Sequence, residues 1–311
     1  MKVAFLFPGQ GSQKVGMGKD IYDNYESARK IYDRASEILG KDIAKLCFES
    51  SDEELMKTEN AQIAILVTSL AILEVLKEKG YKADMSAGLS LGEYSALIYG
   101  GYISLEEGIK LISRRGYLMG NLVPKEDFAM AAVIDCPSST IENICKSINN
   151  KGLFVSPANY NYSGQTVISG NAEAVEMATK ELIEAGAKKV IKLKTSGAFH
   201  TSKLIDASNA FIEDLNKASF ENGNISVIKN IDGAPYTETD NLKEILAKHI
   251  IRPVRFDKTI EYMKTQGVDT FVEIGPGKAL TGFIKKELSE ANTFNVCSVG
   301  ELEFLRNSLN V

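Results

Sequence analysis

The sequence predicts an α/β protein with a large subdomain made of both chain ends and a small subdomain inserted between them. Short apolar runs typical of buried strands alternate with helical runs at both chain ends, whereas residues 127–194 follow another order of elements. The chain has 311 residues, 44% of them hydrophobic and 25% charged, as in a soluble protein with one or two large domains. We assign residues 1–126 and 195–311 to the large subdomain and residues 127–194 to the small one.

The large subdomain begins with an apolar run, Val3–Phe7, which is typical of a buried strand and ends at Pro8. A long apolar helix is expected over 60–79, followed by a short strand over 84–87 and a helix over 91–98. The later elements are a helix after His200, a strand near 225–229, helices from Asp240 and Phe256, a strand over 270–274, a helix over 278–289 and a strand over 293–297.

The small subdomain is predicted from its order of strands and helices, βαββαβ, which is the ferredoxin-like split motif. Asn161, Ser163 and Gly164 have the turn chemistry expected between its two middle strands. Its elements are expected over 128–134, 138–149, 153–158, 165–169, 172–185 and 188–193.

Charge and cysteine content narrow the class of protein. A net charge of −5 argues against a general nucleic-acid binder. The four cysteines form no C-x-x-C pair and have no zinc-like spacing, so we expect buried free thiols in a reducing cytosol and no metal site. The apolar run at the start is too short for a signal peptide or a membrane span. We therefore expect a soluble cytoplasmic protein.

Residues 88–92 read Gly-Leu-Ser-Leu-Gly, which fits the Gly-x-Ser-x-Gly pattern of a nucleophile elbow. An ordinary turn is the alternative, but the predicted strand before it and helix after it favour the elbow. The helix N-terminus next to Ser90 would favour a developing oxyanion, with the N–H of Leu91 as a donor. The loop over 8–13 fits neither a dinucleotide fingerprint nor a P-loop. It is either a flexible connection or the source of a second oxyanion donor, Gln10.

A serine nucleophile needs a base, and the chain contains two histidines. His200 lies in a loop of small residues just after the small subdomain. His249 lies near the C-terminal end of a predicted helix, where the helix dipole is an adequate structural explanation for it. We therefore predict that His200 is the base.

Two groups of basic residues could have either a functional or a purely structural role. Arg114 and Arg115 are adjacent on one predicted helix, so at most one of them faces the elbow, where its planar fork would suit a carboxylate. The lysines of the last small-subdomain strand fit a solvated strand edge and a surface for an acidic partner equally well. These lysines are Lys188, Lys189, Lys192 and Lys194.

Together these motifs resemble those of the malonyl-CoA:acyl-carrier-protein transacylase family of fatty-acid synthesis. The matching segments follow the family's order from Phe5 to Val299. They are 7–13, the elbow continued to Leu97, Arg115-Gly116 with Met119, 129–132, Asn159 and Asn161 before Gln165 and Ser169-Gly170, 197–200, 253–256 and 273–277.

The resemblance implies an α/β-hydrolase-like large subdomain with a ferredoxin-like insert. It also implies ping-pong transfer of a malonyl group from malonyl-CoA to the phosphopantetheine thiol of acyl carrier protein, without a cofactor. We expect no nucleic-acid or membrane partner and a monomeric protein. The implied site consists of Ser90 as nucleophile, His200 as acid and base oriented by backbone carbonyls, Gln10 and Leu91 as oxyanion donors, Arg115 as carboxylate clamp, Asn159 and Asn161 in the thioester channel, Phe199 in malonyl selectivity, and His249 as a further substrate-binding residue.

Two residues depart from the family pattern. Leu89 stands where many relatives have histidine, and His249 where many have glutamine. We expect them to affect substrate preference and pH dependence rather than the reaction class. Three other functions fit the same residues: loading of a polyketide synthase carrier, hydrolysis by a thioesterase or esterase, and carrier binding without catalysis.

Overall fold

Two five-stranded sheets organise the chain, and the computed structural model describes residues 1–194 and 197–309. The strands are β1 (Val3–Phe7), β2 (Met85–Gly88), β3 (Phe128–Ile134), β4 (Val155–Tyr162), β5 (Gln165–Asn171), β6 (Lys189–Lys192), β7 (Ser226–Val227), β8 (Val254–Arg255), β9 (Thr270–Ile274) and β10 (Asn292–Val296). The first sheet is parallel, in the order β10-β9-β1-β2-β7, and the second is mixed, in the order β6-β3-β5-β4-β8.

Helices connect these strands and cover the sheets. They are α1 (Lys19–Asn24), α2 (Glu26–Leu39), α3 (Ile43–Glu49), α4 (Asp52–Met56), α5 (Thr58–Glu78), α6 (Gly92–Tyr99), α7 (Leu105–Asn121), α8 (Ser138–Asn149), α9 (Ala172–Glu184), α10 (Ile205–Lys217), α11 (Leu242–His249), α12 (Phe256–Thr265), α13 (Ala279–Glu287) and α14 (Val299–Leu309). By length and composition alone α5 is apolar enough to cross a membrane, but 89% of that stretch is buried inside the protein, as in a core helix.

The parallel sheet places three loops at one edge. Phe7 at the end of β1 pairs with Gly88 at the end of β2, and β9 pairs with β1 on its other side. Successive β1 side chains point to opposite faces, so Phe5 joins the core cluster around α5 while Leu6 joins the cluster beside α12 and α13. The loops after β1, β2 and β9 therefore meet at the carboxyl edge, where open parallel sheets bind ligands.

The second sheet contains one strand that the sequence did not indicate. Strands β3 to β6 come from the predicted small subdomain, and α8 and α9 share a core with them. Strand β8 comes from outside residues 127–194 and pairs in parallel with β4, with Asn159 opposite Val254. A two-residue strand directly after Pro253 leaves no periodic pattern in the sequence. The sheet of the small subdomain is thus extended by the returning chain.

Several predicted boundaries were wrong. Strand β4 runs on to Tyr162, which pairs with Gln165, so Asn161 lies in the strand and the turn is Ser163-Gly164 alone. Alternating asparagine and tyrosine has the polarity of a loop, which hid the strand ending. Helix α14 was not predicted. The four cysteines are free, three of them buried and Cys297 partly so. Thr195 and Ser196, which begin the loop predicted before His200, lie outside the described residues.

Replacing Gly92 with Ala should destabilise the protein, because the new Cβ would lie 2.2 Å from the backbone carbonyl oxygen of Phe7. We expect the free energy of unfolding to fall by about 3 kcal/mol through overpacking. Gly282→Ala is the control, since a Cβ in that part of α13 meets no atom within 4 Å. It should raise the free energy by about 0.5 to 1 kcal/mol. Urea unfolding measures both values, and two variants of equal stability would contradict the close approach of α6 to β1.

Candidate active site

The predicted elbow, residues 88–92, forms a tight turn between β2 and α6. Ser90 has a φ of 55°, in the left-handed region that non-glycine residues rarely adopt. Such a conformation costs on the order of 1 to 3 kcal/mol and persists only where the surroundings hold it. The Ser90 N–H donates to Oδ1 of Asn230 at 2.7 Å, and the Leu89 N–H donates to the Phe7 carbonyl at 3.0 Å. The turn therefore presents the Ser90 hydroxyl at the N-terminus of α6.

His200 lies within hydrogen-bonding distance of the serine. Its Nε2 is 2.8 Å from Ser90 Oγ, and its Nδ1 is 2.9 Å from the backbone carbonyl oxygen of His249. A carbonyl oxygen only accepts, so Nδ1 carries the proton and the neutral ring has a free acceptor at Nε2. His200 also has a positive φ, 57°. The structure thus places His200, rather than His249, where a general base must be.

The surroundings of His200 keep its ring neutral. Burial is the main cause that lowers the pKa of His200 well below the ordinary value of 6.5, and His249 and Arg115 lower it further. A base with a lowered pKa is ready to accept the proton of Ser90 at neutral pH.

Arg115 is a fully buried cation beside the nucleophile. Its Nη1 donates to Gln62 Oε1 at 2.7 Å and its Nη2 to Ser90 Oγ at 3.2 Å. Burial lowers the pKa of Arg115, but a guanidinium stays protonated in proteins. In the part of the chain that the structure describes, no carboxylate forms an ion pair with Arg115, whereas the exposed Arg114 pairs with Asp214. One arginine of the two therefore faces the elbow, and it is ready for the anionic group of a ligand.

Sequence reasoning missed two polar residues of this site. Gln62 lies on the otherwise apolar α5 and accepts the hydrogen bond of Arg115; a buried amide in so apolar a run is a signal that could have indicated it. Asn230 follows β7, and its side chain forms two hydrogen bonds with the elbow. Its oxygen accepts from the Ser90 N–H, and its amide nitrogen donates to the Gly88 carbonyl at 2.7 Å. No local pattern in the sequence marks Asn230.

Comparison with protein families identifies the chain. The sequence model of one family, the acyl transferase domain, matches residues 4–303, which is almost the whole protein. The chain belongs to the acyl transferase domain family. As in the prediction from the sequence motifs, the protein is an acyltransferase.

Individual relatives match this acyltransferase over almost its whole length. The chain is 40% identical over 308 residues to the malonyl CoA-acyl carrier protein transacylase of Bacillus subtilis (strain 168), and the match covers 99% of this chain and 97% of that protein. The malonyl CoA-acyl carrier protein transacylase of Clostridium perfringens has a TM-score of 0.96 and 42% identity, with 100% and 98% covered. A malonyl-transacylase in complex with its type II PKS acyl-carrier protein has a TM-score of 0.95 and 35% identity over all of both chains. These matches confirm the predicted family and the α/β fold.

Of the two predicted oxyanion donors of the acyltransferase, Leu91 belongs to the elbow and Gln10 to the loop after β1. The loop after β1 packs on the elbow, because a Cβ at Gly9 would lie 2.6 Å from the Leu89 carbonyl oxygen. The Gln10 side chain turns away and donates to Thr58 Oγ1 at 3.2 Å. Within residues 1–194 and 197–309, neither the Gln10 N–H nor the Leu91 N–H donates to a protein acceptor. Their role as oxyanion donors stays a prediction.

None of the other predicted site residues forms a side-chain hydrogen bond with Ser90, His200 or Arg115 among the described residues. Among the described residues, Asn159 and Asn161 form no hydrogen bond with Ser90, His200 or Arg115, and the Asn161 amide donates to Gln165 at 2.7 Å. Phe199 packs into the large core. The His249 ring is fully buried and stacks on His200 with the ring centres 5.0 Å apart, so its contact is with the base. Substrate binding by these residues stays a prediction.

The lowered pKa of His200 predicts how labelling of Ser90 depends on pH. If His200 is the base, its neutral form is the active one, so the rate should keep its plateau value as the pH falls through 6.5, the ordinary histidine pKa, and fall only at lower pH. The rate of fluorophosphonate labelling, followed by intact mass, measures this dependence. Ser90→Ala should not be labelled, and His200→Ala should react slowly at every pH. A midpoint at pH 6.5 or above would contradict the buried, neutral base.

Proposed function

We propose that this acyltransferase moves the malonyl group from malonyl-CoA to the phosphopantetheine thiol of acyl carrier protein. The observation that carries the proposal is the buried Arg115 guanidinium, which lies 3.2 Å from Ser90 Oγ and has no carboxylate partner among the described residues. Malonyl-CoA differs from acetyl-CoA by a free carboxylate, which a guanidinium binds through two parallel hydrogen bonds. The names of the relatives in Bacillus subtilis and Clostridium perfringens support the same substrate.

The first half-reaction loads the enzyme. Ser90 Oγ attacks the thioester carbonyl carbon while His200 Nε2 takes the hydroxyl proton. The carbonyl oxygen becomes an oxyanion that the N–H groups of Gln10 and Leu91 stabilise. When the tetrahedral intermediate collapses, the C–S bond breaks and CoA leaves as a thiol with the proton from His200. The product is a malonyl ester on Ser90, with its carboxylate held by Arg115.

The second half-reaction discharges the ester to the carrier. The phosphopantetheine thiol gives its proton to His200 and attacks the ester carbonyl, and the same two N–H groups hold the oxyanion. Collapse breaks the C–O bond, and Ser90 Oγ regains its proton from His200. The relative solved in complex with its type II PKS acyl-carrier protein supports a carrier protein as the acceptor.

The remaining assignments belong to the same proposal. The strand order β6-β3-β5-β4, with α8 and α9 in one core with these strands, supports residues 127–194 as a ferredoxin-like insert. The parallel sheet and its elbow support an α/β-hydrolase-like body over 1–126 and 195–311. Asn159 and Asn161 line the thioester channel, and Phe199 contributes to malonyl selectivity. The protein works in the cytoplasm as a monomer, and its reaction uses neither a metal nor a cofactor.

Malonylation of Ser90 tests the proposal directly. Intact mass after mixing with malonyl-CoA should show one added malonyl group, which Ser90→Ala should lack. The ester should persist without an acceptor and disappear on addition of carrier protein that bears phosphopantetheine, while the apo carrier leaves it in place. Loss of the ester within seconds in buffer alone would instead indicate a thioesterase. Carriers from fatty-acid and polyketide synthesis, compared in one assay, show which is the partner.

Arg115→Ala should remove the preference for malonyl over acetyl. The variant loses the charge-assisted hydrogen bonds to the carboxylate, so kcat/KM for malonyl-CoA should fall about a hundredfold or more, while acetyl-CoA is little affected. Arg114→Ala is the matched control on the same helix, because Arg114 is exposed and pairs with Asp214. It should keep the wild-type ratio of the two substrates. An unchanged ratio in Arg115→Ala would show that another group binds the carboxylate.

A further inference from the structure

The residue that directly follows the elbow in the chain has a buried carboxylate that the mechanism does not use. Glu93 is in the first turn of α6 and only 1% exposed. Its Oε1 accepts hydrogen bonds from the Tyr236 hydroxyl at 2.8 Å and from the Asn230 N–H at 3.3 Å. A buried carboxylate is costly unless its environment compensates it, so these contacts need an explanation beyond chance. The helix N-terminus also favours its charge.

One set of contacts leads from Glu93 to the nucleophile. The Asn230 N–H donates to Glu93 Oε1, and the Asn230 side-chain oxygen accepts from the Ser90 N–H at 2.7 Å. The same side chain donates to the Gly88 carbonyl, so it links the first residue of the strained turn to the middle one. The position of Asn230 therefore decides how firmly Ser90 is kept at its positive φ.

A second set of contacts leads from Glu93 to the base. Oε2 of Glu93 lies 2.9 Å from His249 Nδ1, both groups are buried, and the N–H direction is too poor for a hydrogen bond. The His249 ring stacks on the His200 ring, with 28° between their planes. The His249 carbonyl oxygen accepts from His200 Nδ1. The place of His249 thus fixes both the tilt and the tautomer of the base.

We propose that Glu93 is a positioning residue whose carboxylate holds Ser90 and His200 in their reactive arrangement without a hydrogen bond to either of them. It acts on Ser90 through Asn230 and on His200 through His249. The proposal rests on the proposed function in that Ser90 and His200 perform the transfer. Both have positive φ values, so their mutual distance of 2.8 Å depends on groups outside the pair. Small displacements of reacting groups cost about a hundredfold in rate, which is the range available to such a residue.

Glu93→Gln keeps the size of the side chain and an acceptor for Tyr236 but removes the carboxylate that faces His249. Single-turnover kinetics on the full chain would use two probes: malonyl-CoA, and a fluorophosphonate, which needs only an activated serine. We expect the rate with both probes to fall about ten- to a hundredfold at full amplitude, with the half-saturating malonyl-CoA concentration changed less than about threefold. A merely destabilised protein would instead lose amplitude at an unchanged rate.

The matched control is Glu273→Gln. Glu273 is another buried carboxylate, in β9, but its Oε2 accepts from the Thr281 N–H at 2.9 Å, and among the described residues it forms no hydrogen bond with Ser90 or His200. We expect this variant to react at the wild-type rate with both probes, although it can lose stability. Equal slowing by both substitutions would show a general effect of lost buried charge and would overturn the proposal.

A double-mutant cycle with His249→Gln tests the route to His200. This substitution removes the ring that faces Glu93 and keeps the backbone carbonyl that orients the base. If Glu93 acts through His249, the double variant should be at least about threefold faster than the product of the single effects predicts. Strict additivity would restrict Glu93 to the Asn230 side and contradict the two-sided role.

The two probes separate this proposal from the proposed function. Normal fluorophosphonate labelling without malonylation in the wild type would overturn the malonyl assignment, while a slow Glu93→Gln with the fluorophosphonate would still support the positioning role. Wild-type rates of Glu93→Gln with both probes would overturn that role alone. If Glu93→Gln does not fold, His249→Leu tests the route to His200: slow labelling at full amplitude supports that route, and a wild-type rate contradicts the two-sided role.

Discussion

The close packing of α6 against β1 and β2 is the constraint on which the site depends. A Cβ at Gly88 would lie 1.9 Å from the Gly92 carbonyl carbon, and one at Gly92 would lie 2.2 Å from the Phe7 carbonyl oxygen. Only glycine at both positions lets the helix begin directly at the end of the strand. That approach forces Ser90 into its positive φ and brings the loop after β1 beside it. The position of the Ser90 hydroxyl at the N-terminus of α6 and the nearness of the loop after β1 are both consequences of this one contact.

Burial gives the charges around the serine their effect. Arg115 is held by Gln62 and Ser90 and has no acidic partner within residues 1–194 and 197–309, so its charge is left for a ligand to neutralise. Glu93 is buried in the same region, and its charge opposes the burial that lowers the pKa of Arg115. Oε1 of Glu93 accepts hydrogen bonds from Tyr236 and Asn230, and Oε2 faces His249, so among the described residues neither oxygen forms an ion pair with Arg115. In the proposed mechanism, the charge that selects the ligand, on Arg115, is therefore separate from the charge that positions the reactive pair, on Glu93.

The sequence predicted those parts of the site that have local patterns. The elbow, the small-residue loop before His200 and the two adjacent arginines all stand in short segments with a recognisable chemistry, and the structure brings Ser90, His200 and Arg115 together. Asn230 was missed because its partner, Ser90, is 140 residues away and nothing near it in the chain indicates that contact. Strand β8 was missed for a similar reason, since its pairing with β4 stabilises a segment too short to have a pattern. Long-range contacts of single residues are the part that local patterns do not encode.

The two departures from the family pattern have different physical meanings. Leu89 is partly buried against the core cluster beside α12 and α13, so an apolar side chain is stabilised by packing at a position where the turn itself needs only backbone contacts. At position 249 the atom that orients His200 is a carbonyl oxygen, which every residue type provides. Exchange of glutamine for histidine is therefore compatible with the reaction, and the side chain is free to take a second task. The ring stacked on His200 and facing Glu93 extends the buried polar contacts up to the base itself.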